Sequence, residues 1–324
     1  MYCKIYNIIE IIYFKKEMRY LERLFKGANA IVLTPFKEDA KVDKNLLEKY
    51  VARAVDSGCL DGIIMCGSTG EFSRLSFEEN VEIMKIAQNV CNGRTKFICG
   101  ATAGDSYTAC RYVEQIGKLG ADGILIAPPY YFTLTDEEVL EYYRSVINAN
   151  DAGVPIIGYN IPQCTNPLSV GVFKELLKYA CVKGFKNSWN DMQQITEEIA
   201  NRDEQRPDVS MLTGLDACLY GTLSLGGDGV FSAIAYLMPE VSDFIIKNHG
   251  KYDKAFKCQA DLIKLINVVN RFTFPFGYRV LSDALGCPLG VGREEIPPTM
   301  ALSVERAKQE MKDIYKGIVQ KYLY

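Results

Sequence analysis

From Gly27 onward the chain repeats one unit eight times: a short apolar run rich in β-branched residues, then a longer segment of helical period. The runs are ANAIVL (28–33), DGIIMC (61–66), KFICGA (96–101), DGILIA (122–127), VPIIGY (154–159), CVKGFK (181–186), VSMLT (209–213) and GVFSAI (229–234). Their length and composition read as buried strands. Between them, stretches such as LLEKYVARAVDSG and SFEENVEIMKIAQNV place apolar residues at helical spacing. Ser76, Ser106 and Thr135 stand where helix N-caps belong, and Gly58 and Gly120 where helices stop before the chain re-enters a sheet. Eight such units predict an α/β chain folded as a (β/α)8 TIM barrel, a fold of typically about 250 residues. A doubly wound open sheet competes, but it needs a glycine fingerprint after its first strand, and AIVLTPFKEDAKVD has none. The expected division is an N-terminal extension and lead-in (1–26), the barrel (27–248) and a C-terminal region (249–324) of about three helices.

Composition narrows the function. Lys plus Arg total 37 against 40 Asp plus Glu, a net charge of −3, which gives no electrostatic case for nucleic acid. A small neutral or anionic substrate remains compatible with it. Eleven cysteines, scattered and without a C-x-x-C pair, read as free thiols of a reducing cytoplasm, not as a disulfide framework or zinc site. The single histidine, His249, excludes a multi-histidine metal site and any triad built on another histidine. In KNHG it is expected at a helix end, where the dipole favours it. No run approaches the roughly eighteen apolar residues of a membrane span. The opening MYCKIYNIIEIIYFKKEM has only a short apolar stretch, which contains Glu10 and lacks a small-residue cleavage site, so it does not read as a secretory signal. Met18 is a candidate start, and residues 1–17 carry no reading.

Barrel chemistry gathers in the loops after the strands, so the residues ending each run are the ones to question. After the second run, Gly67-Ser68-Thr69-Gly70-Glu71 offers hydroxyls and free amides that can hold a carboxylate or phosphate, or merely makes a turn. Tyr130 and Tyr131 follow two prolines, and adjacent tyrosines commonly pack or sit at interfaces. Tyr159 shares parity with Ile157 and points into the mouth, as a proton relay or as packing. Lys186 ends an apolar run on the face of Val182 and Gly184, whereas Lys183 lies on the other face near solvent. A buried lysine is either salt-bridged or chemically employed, since a neutral amine attacks ketones to form a Schiff base. Asp216, after Gly214, reads as a helix cap first and as an acceptor for substrate hydroxyls second.

Taken together, GANAIVLTPF, GSTGEFSRLS, PPYYF, YNIP, GFKNS and LGGDGVFSAIA resemble, in order and spacing, the dihydrodipicolinate synthase/N-acetylneuraminate lyase family of pyruvate-dependent class I aldolases. The resemblance implies roles for matched positions. Lys186 would form the Schiff base and Tyr159 would relay protons. Ser68 and Thr69, beside Gly67, would hold the pyruvate carboxylate and link to Tyr159. Gly214 and Asp216 would border the substrate, and Tyr131 would reach across a dimer interface. It further implies no cofactor beyond the covalent imine, no metal, pyruvate and an aldehyde as small-molecule partners, and a homotetramer built as a pair of tight dimers.

Substrate choice departs from the pattern. The synthase branch typically has arginine two residues after the proline of YN-x-P, and here that position is Cys164. Without a guanidinium, the carboxylate of aspartate semialdehyde loses a bidentate partner. Sialic acid lyases usually follow the seventh-strand glycine with an aspartate-glutamate pair; Gly214-Leu215-Asp216-Ala217 keeps only the aspartate. The expected activity is therefore a 2-keto-3-deoxy sugar acid aldolase. N-acetylneuraminate lyase comes next and dihydrodipicolinate synthase third. A dehydratase using the same imine, or a regulatory protein that only binds a 2-oxo acid, completes the alternatives.

Overall fold

A computed structural model describes residues 23–294 and 296–324, so the readings placed on residues 1–22 lie outside the described residues. All eight runs form strands: β1 Gly27–Ile31, β2 Gly62–Met65, β3 Lys96–Gly100, β4 Gly123–Ile126, β5 Ile156–Asn160, β6 Val182–Asn187, β7 Ser210–Thr213 and β8 Gly229–Ser232. They pair in parallel and in sequence order, and β8 returns to β1 with Gly27 opposite Gly229, closing the barrel. A helix follows each strand, as a parallel sheet requires of its crossovers.

Strand alternation sorts the apolar residues into two layers. Ile31, Ile64, Ile98, Leu125, Ile157, Leu212 and Phe231 fill the interior, while Ile63, Phe97, Ile124, Ile156 and Val230 face the helices. Phe25, fully buried, enters from below the first strand and packs edge-on against Phe231. Its ring takes space that glycines leave: a Cβ on Gly123 or Gly184 would meet it at 2.8 or 3.2 Å. The floor of the barrel is thus closed by side chains, and open space remains at the C-terminal mouth.

The helices are α1 Lys44–Asp56, α2 Phe77–Cys91, α3 Ser106–Lys118, α4 Asp136–Asn148, α5 Val170–Leu176, α6 Met192–Gln205, α7 Leu219–Ser224, α8 Ala233–Leu237 and α9 Pro239–Lys247. Ser76 and Thr135 cap α2 and α4, each completing a capping box with Glu79 or Glu138. The expected cap at Ser106 is displaced by one residue. Asp105 accepts the Thr108 amide at 2.8 Å and Ser106 opens the helix, because two cap-forming residues stand side by side and the carboxylate makes the stronger bond. Gly58 and Gly120 take φ of 65° and 64° just past α1 and α3. His249 follows α9, its Nδ1 3.2 Å from the Ile246 carbonyl.

Three further helices, α10 Tyr252–Val269, α11 Phe276–Ala284 and α12 Ala301–Ile318, pack into the same apolar layer through Leu262, Leu265, Leu281 and Met311. Helix α10 also fastens the loop after β7, where Gln259 donates to the Asp216 carbonyl at 2.9 Å and accepts the Tyr220 amide at 3.2 Å. Among the described residues no helix is long and apolar enough to cross a membrane.

Candidate active site at the barrel mouth

Lys186 is placed by a break in strand parity. Across β5 and β6, Ile156 pairs with Val182 but Ile157 pairs with Gly184, so Lys183 is an extra residue, a bulge. The expectation that Lys186 shares a face with both Val182 and Gly184 is therefore half corrected. Gly184 faces the interior, and Val182 joins the outer layer. Lys183, on the outer side, pairs with Asp208 at 3.0 Å. Lys186 points into the mouth, 1% exposed, and forms no ion pair among the described residues. Its Nζ lies 3.9 Å from the ring centroid of Tyr159, the residue directly opposite on β5.

The Tyr159 hydroxyl is the centre of a short chain. Ser68 Oγ lies 3.2 Å from it on one side and Ser188 Oγ donates to it at 3.2 Å on the other. Ser188 was given no role from sequence. Its signal was strand parity, since it stands two residues beyond Lys186 and faces the same chamber. Gly214 makes room for this pair. A Cβ there would come 1.9 Å from Ser188 Oγ and 2.5 Å from Lys186 Cε.

Ser68 and Thr69 open a 3-10 turn, Ser68–Gly70, after Gly67. As the first residues of that turn their amides have no intrahelical acceptor, and both residues line the chamber above Lys186. The turn is strained and braced. Cys66 and Glu71 hold φ of 56° and 61°, a region non-glycine residues seldom adopt. Buried Glu71 accepts from Arg74 at 2.6 Å and from Arg279 of α11 at 3.0 Å, and Arg279 also donates to the Thr34 and Leu289 carbonyls at 2.9 Å. Arg279 as a brace was invisible in sequence, being separated from Glu71 by the whole barrel.

Asp216 does not cap a helix, contrary to expectation. It begins the 3-10 turn Asp216–Cys218 without a side-chain cap bond, and its carboxyl is buried in the chamber wall with Oδ1 unpartnered. Burial pushes this carboxyl up to about 7, against the Ser232 hydroxyl and the Lys186 charge, which pull it down. The cap position falls one residue earlier, on Leu215, and Asp216 lies inside the turn, whose backbone Gln259 of α10 fastens through the Asp216 carbonyl.

Tyr131 is not part of this cluster. It is 91% exposed with φ of 82°, edge-on to the exposed Phe132, while its neighbour Tyr130 lines the mouth against Phe72.

Two chambers of about 510 and 230 Å³ meet over Tyr159, sharing Ser68, Ile161, Cys164 and Phe274. The larger has Lys186 at its base and Gln163, Asp216, Ser232, Asn270 and Thr273 among its polar walls. Among the described residues no three His, Cys, Asp or Glu side chains cluster as a metal site would need. The arrangement offers a buried amine, a phenol in a hydroxyl chain and unpaired amides, the parts needed to form an imine and move protons around it.

Residues 24–317 match the dihydrodipicolinate synthetase family. An uncharacterized DapA-like lyase of Thermococcus onnurineus is 35% identical over 298 residues, covering 91% of this chain and 99% of the relative. Dihydrodipicolinate synthase of Aquifex aeolicus superposes with a TM-score of 0.81 at 29% identity, covering 90% of this chain and 98% of its own. YagE of E. coli K12, a prophage protein solved in complex with pyruvate, superposes with a TM-score of 0.80 at 26% identity, over 91% and 99% of the two chains.

Proposed function

This chain belongs to the dihydrodipicolinate synthetase family, and we propose that it is a class I lyase cleaving a 2-keto-3-deoxy sugar acid to pyruvate and an aldehyde. The carrying observation is Lys186, buried without an ion pair among the described residues, over the ring of a tyrosine whose hydroxyl sits between Ser68 and Ser188. Its amine adds to the C2 carbonyl and water leaves, giving an iminium. Tyr159 takes the proton of the C4 hydroxyl through its hydroxyl chain as the C3–C4 bond breaks, and the electron pair passes to the iminium nitrogen. The aldehyde departs, the enamine takes a proton at C3, and hydrolysis releases pyruvate and the free amine. The Ser68-Thr69 turn holds the substrate carboxylate by its amides and hydroxyls. The pyruvate complex of YagE supports the same ligand here.

The aldehyde portion then lies toward Cys164, Gln163, Asp216, Ser232 and Thr273. Those groups favour a neutral polyhydroxylated chain, with the half-neutral Asp216 carboxyl able to accept or donate to a hydroxyl. Arg74, the guanidinium that lines the smaller chamber, is engaged by Glu71 at 2.6 Å and Glu294 at 3.3 Å, so it is a poor substitute for an arginine dedicated to a second carboxylate. Tyr131 is proposed to complete the site of a neighbouring copy in a homotetramer of tight dimers, and the free thiols described suit a cytoplasmic protein.

The test is incubation with pyruvate, reduction by borohydride, and mapping of the adduct by mass spectrometry. A pyruvyl adduct on Lys186, lost in Lys186→Ala, is expected. No adduct, or one on Lys183 alone, overturns the imine chemistry. Release of pyruvate from 2-keto-3-deoxy sugar acids but not from N-acetylneuraminate fits the proposed substrate, and the reverse moves it to the sialic acid branch. Water loss without pyruvate indicates a dehydratase. An adduct without turnover of any of these indicates a binding protein.

A further inference from the structure

Asn160 follows Tyr159 and Asn187 follows Lys186. Successive strand residues face opposite ways, so both amides leave the interior and are buried among the helices. There they join a closed ring of hydrogen bonds. Asn187 Nδ2 donates to Glu198 Oε2 at 2.9 Å, and Asn187 Oδ1 accepts the Trp189 amide at 2.9 Å and Asn160 Nδ2 at 3.5 Å. Asn160 Oδ1 accepts the Leu168 amide at 3.0 Å. The Leu168 carbonyl accepts Gln194 Nε2 at 3.0 Å, and that nitrogen also donates to Glu198 Oε1 at 2.8 Å. The ring runs Asn160, Leu168, Gln194, Glu198, Asn187 and back, joining the ends of β5 and β6 to α6.

Glu198 is its only carboxyl, 2% exposed, and both of its hydrogen-bond partners are neutral amides. Burial raises it to about 7 even though both amide bonds pull it down. An unpaired buried carboxyl is a costly way to hold a helix against a strand, which apolar contacts do without penalty. What this group adds is direction. It fixes the rotamer of Asn187 and, through it, the turn Asn187-Ser188-Trp189 that aims Ser188 at the Tyr159 hydroxyl.

We propose that Glu198 is a positioning residue, which through Asn187 and the ring sets the ends of β6 and β5 so that Lys186 and Tyr159 address one substrate carbon. It lies behind the strand and touches no substrate. The proposal rests on the imine reading given above.

Three variants test it. E198Q brings a donor amide against Asn187 or Gln194, both of which already donate. N187D sets a second carboxyl against Glu198. In the double variant N187D/E198Q every bond of the ring again joins a donor to an acceptor, with amide and carboxyl exchanged. The readout is the rate of borohydride-trapped pyruvyl adduct per folded molecule, with kcat and KM, at a temperature where circular dichroism shows each variant folded. The singles are expected to trap about 10- to 100-fold slower, as for small misplacements of a reacting group, and the double to recover most of that loss. Singles that trap at the wild-type rate while only Tm falls would make the ring purely structural and overturn the proposal. So would a double variant no faster than the singles. A wild type that forms no adduct removes the imine reading and this proposal with it, whereas an adduct in the wild type and unaffected singles removes the positioning role alone.

Discussion

Asp216 shows how one residue's surroundings decide its charge. Its carboxyl is buried with an unpartnered oxygen and titrates near 7 in the folded chain, against about 3.9 when unfolded. Between those values the folded state holds a proton that the unfolded state has lost. The stability due to this neutral acid is therefore full below about pH 4 and falls away as pH rises through 7. Asp216→Asn removes the titration. Its stability relative to wild type should grow from pH 4 to pH 8, by on the order of a few kcal/mol, in urea denaturation followed across that range. Parallel stability curves for the two proteins would show that the carboxyl is not desolvated. Glu198, also raised to about 7, leaves a residual slope of the same sign in the variant.

At the scale of elements, the turn after β2 is held in a conformation it would not keep alone. Cys66 and Glu71 occupy left-handed backbone, and the Glu71–Arg279 pair ties the turn to α11. Removing one partner of a buried pair leaves an uncompensated charge, whereas removing both costs less. Arg279→Met should therefore lose about 3 kcal/mol of stability, less whatever Arg74 still returns to Glu71. Glu71→Gln combined with Arg279→Met should regain part of it. Because Ser68 and Thr69 sit in the same turn, KM for the 2-oxo acid should rise in Arg279→Met. An unchanged KM together with unchanged denaturation would remove the bracing role. The β6 bulge works at the same scale: one extra residue, Lys183, rotates Lys186 from the outer layer into the mouth.

For the whole molecule, the exposed Tyr131 and Phe132 stand on the loop after β4, where a second copy is proposed to meet the first. If Tyr131 serves a neighbour's site, Lys186→Ala and Tyr131→Ala chains should complement each other. Each alone should be impaired, and mixed subunits should recover up to about a quarter of wild-type activity, since half the pairs are mixed and each has one intact site. No gain on mixing, with exchange proved by co-purification of untagged chains with tagged ones, would place Tyr131 outside the catalytic arrangement.

The barrel itself was legible from residue order. Eight apolar runs with helical segments between them leave few ways to bury both strand faces, and periods of 2.0 and 3.6 mark which residue points where. The same periodicity put Tyr159 and Lys186 at strand ends, and local turn chemistry located Ser68 and Thr69. What periodicity does not carry is any event that interrupts it or joins distant segments. The bulge at Lys183 shifts parity by one residue, which no count of apolar positions reveals. Asp216 lies in a turn fastened by Gln259, on a later helix, through its backbone carbonyl. Glu71 meets Arg279 and Glu198 meets Asn187 only after the chain has closed on itself. Local period and side-chain type were enough to place the layers of the barrel and the candidate site residues at its strand ends. How those residues are aimed and charged emerges only from the folded chain, because direction and desolvation are set by neighbours distant in sequence.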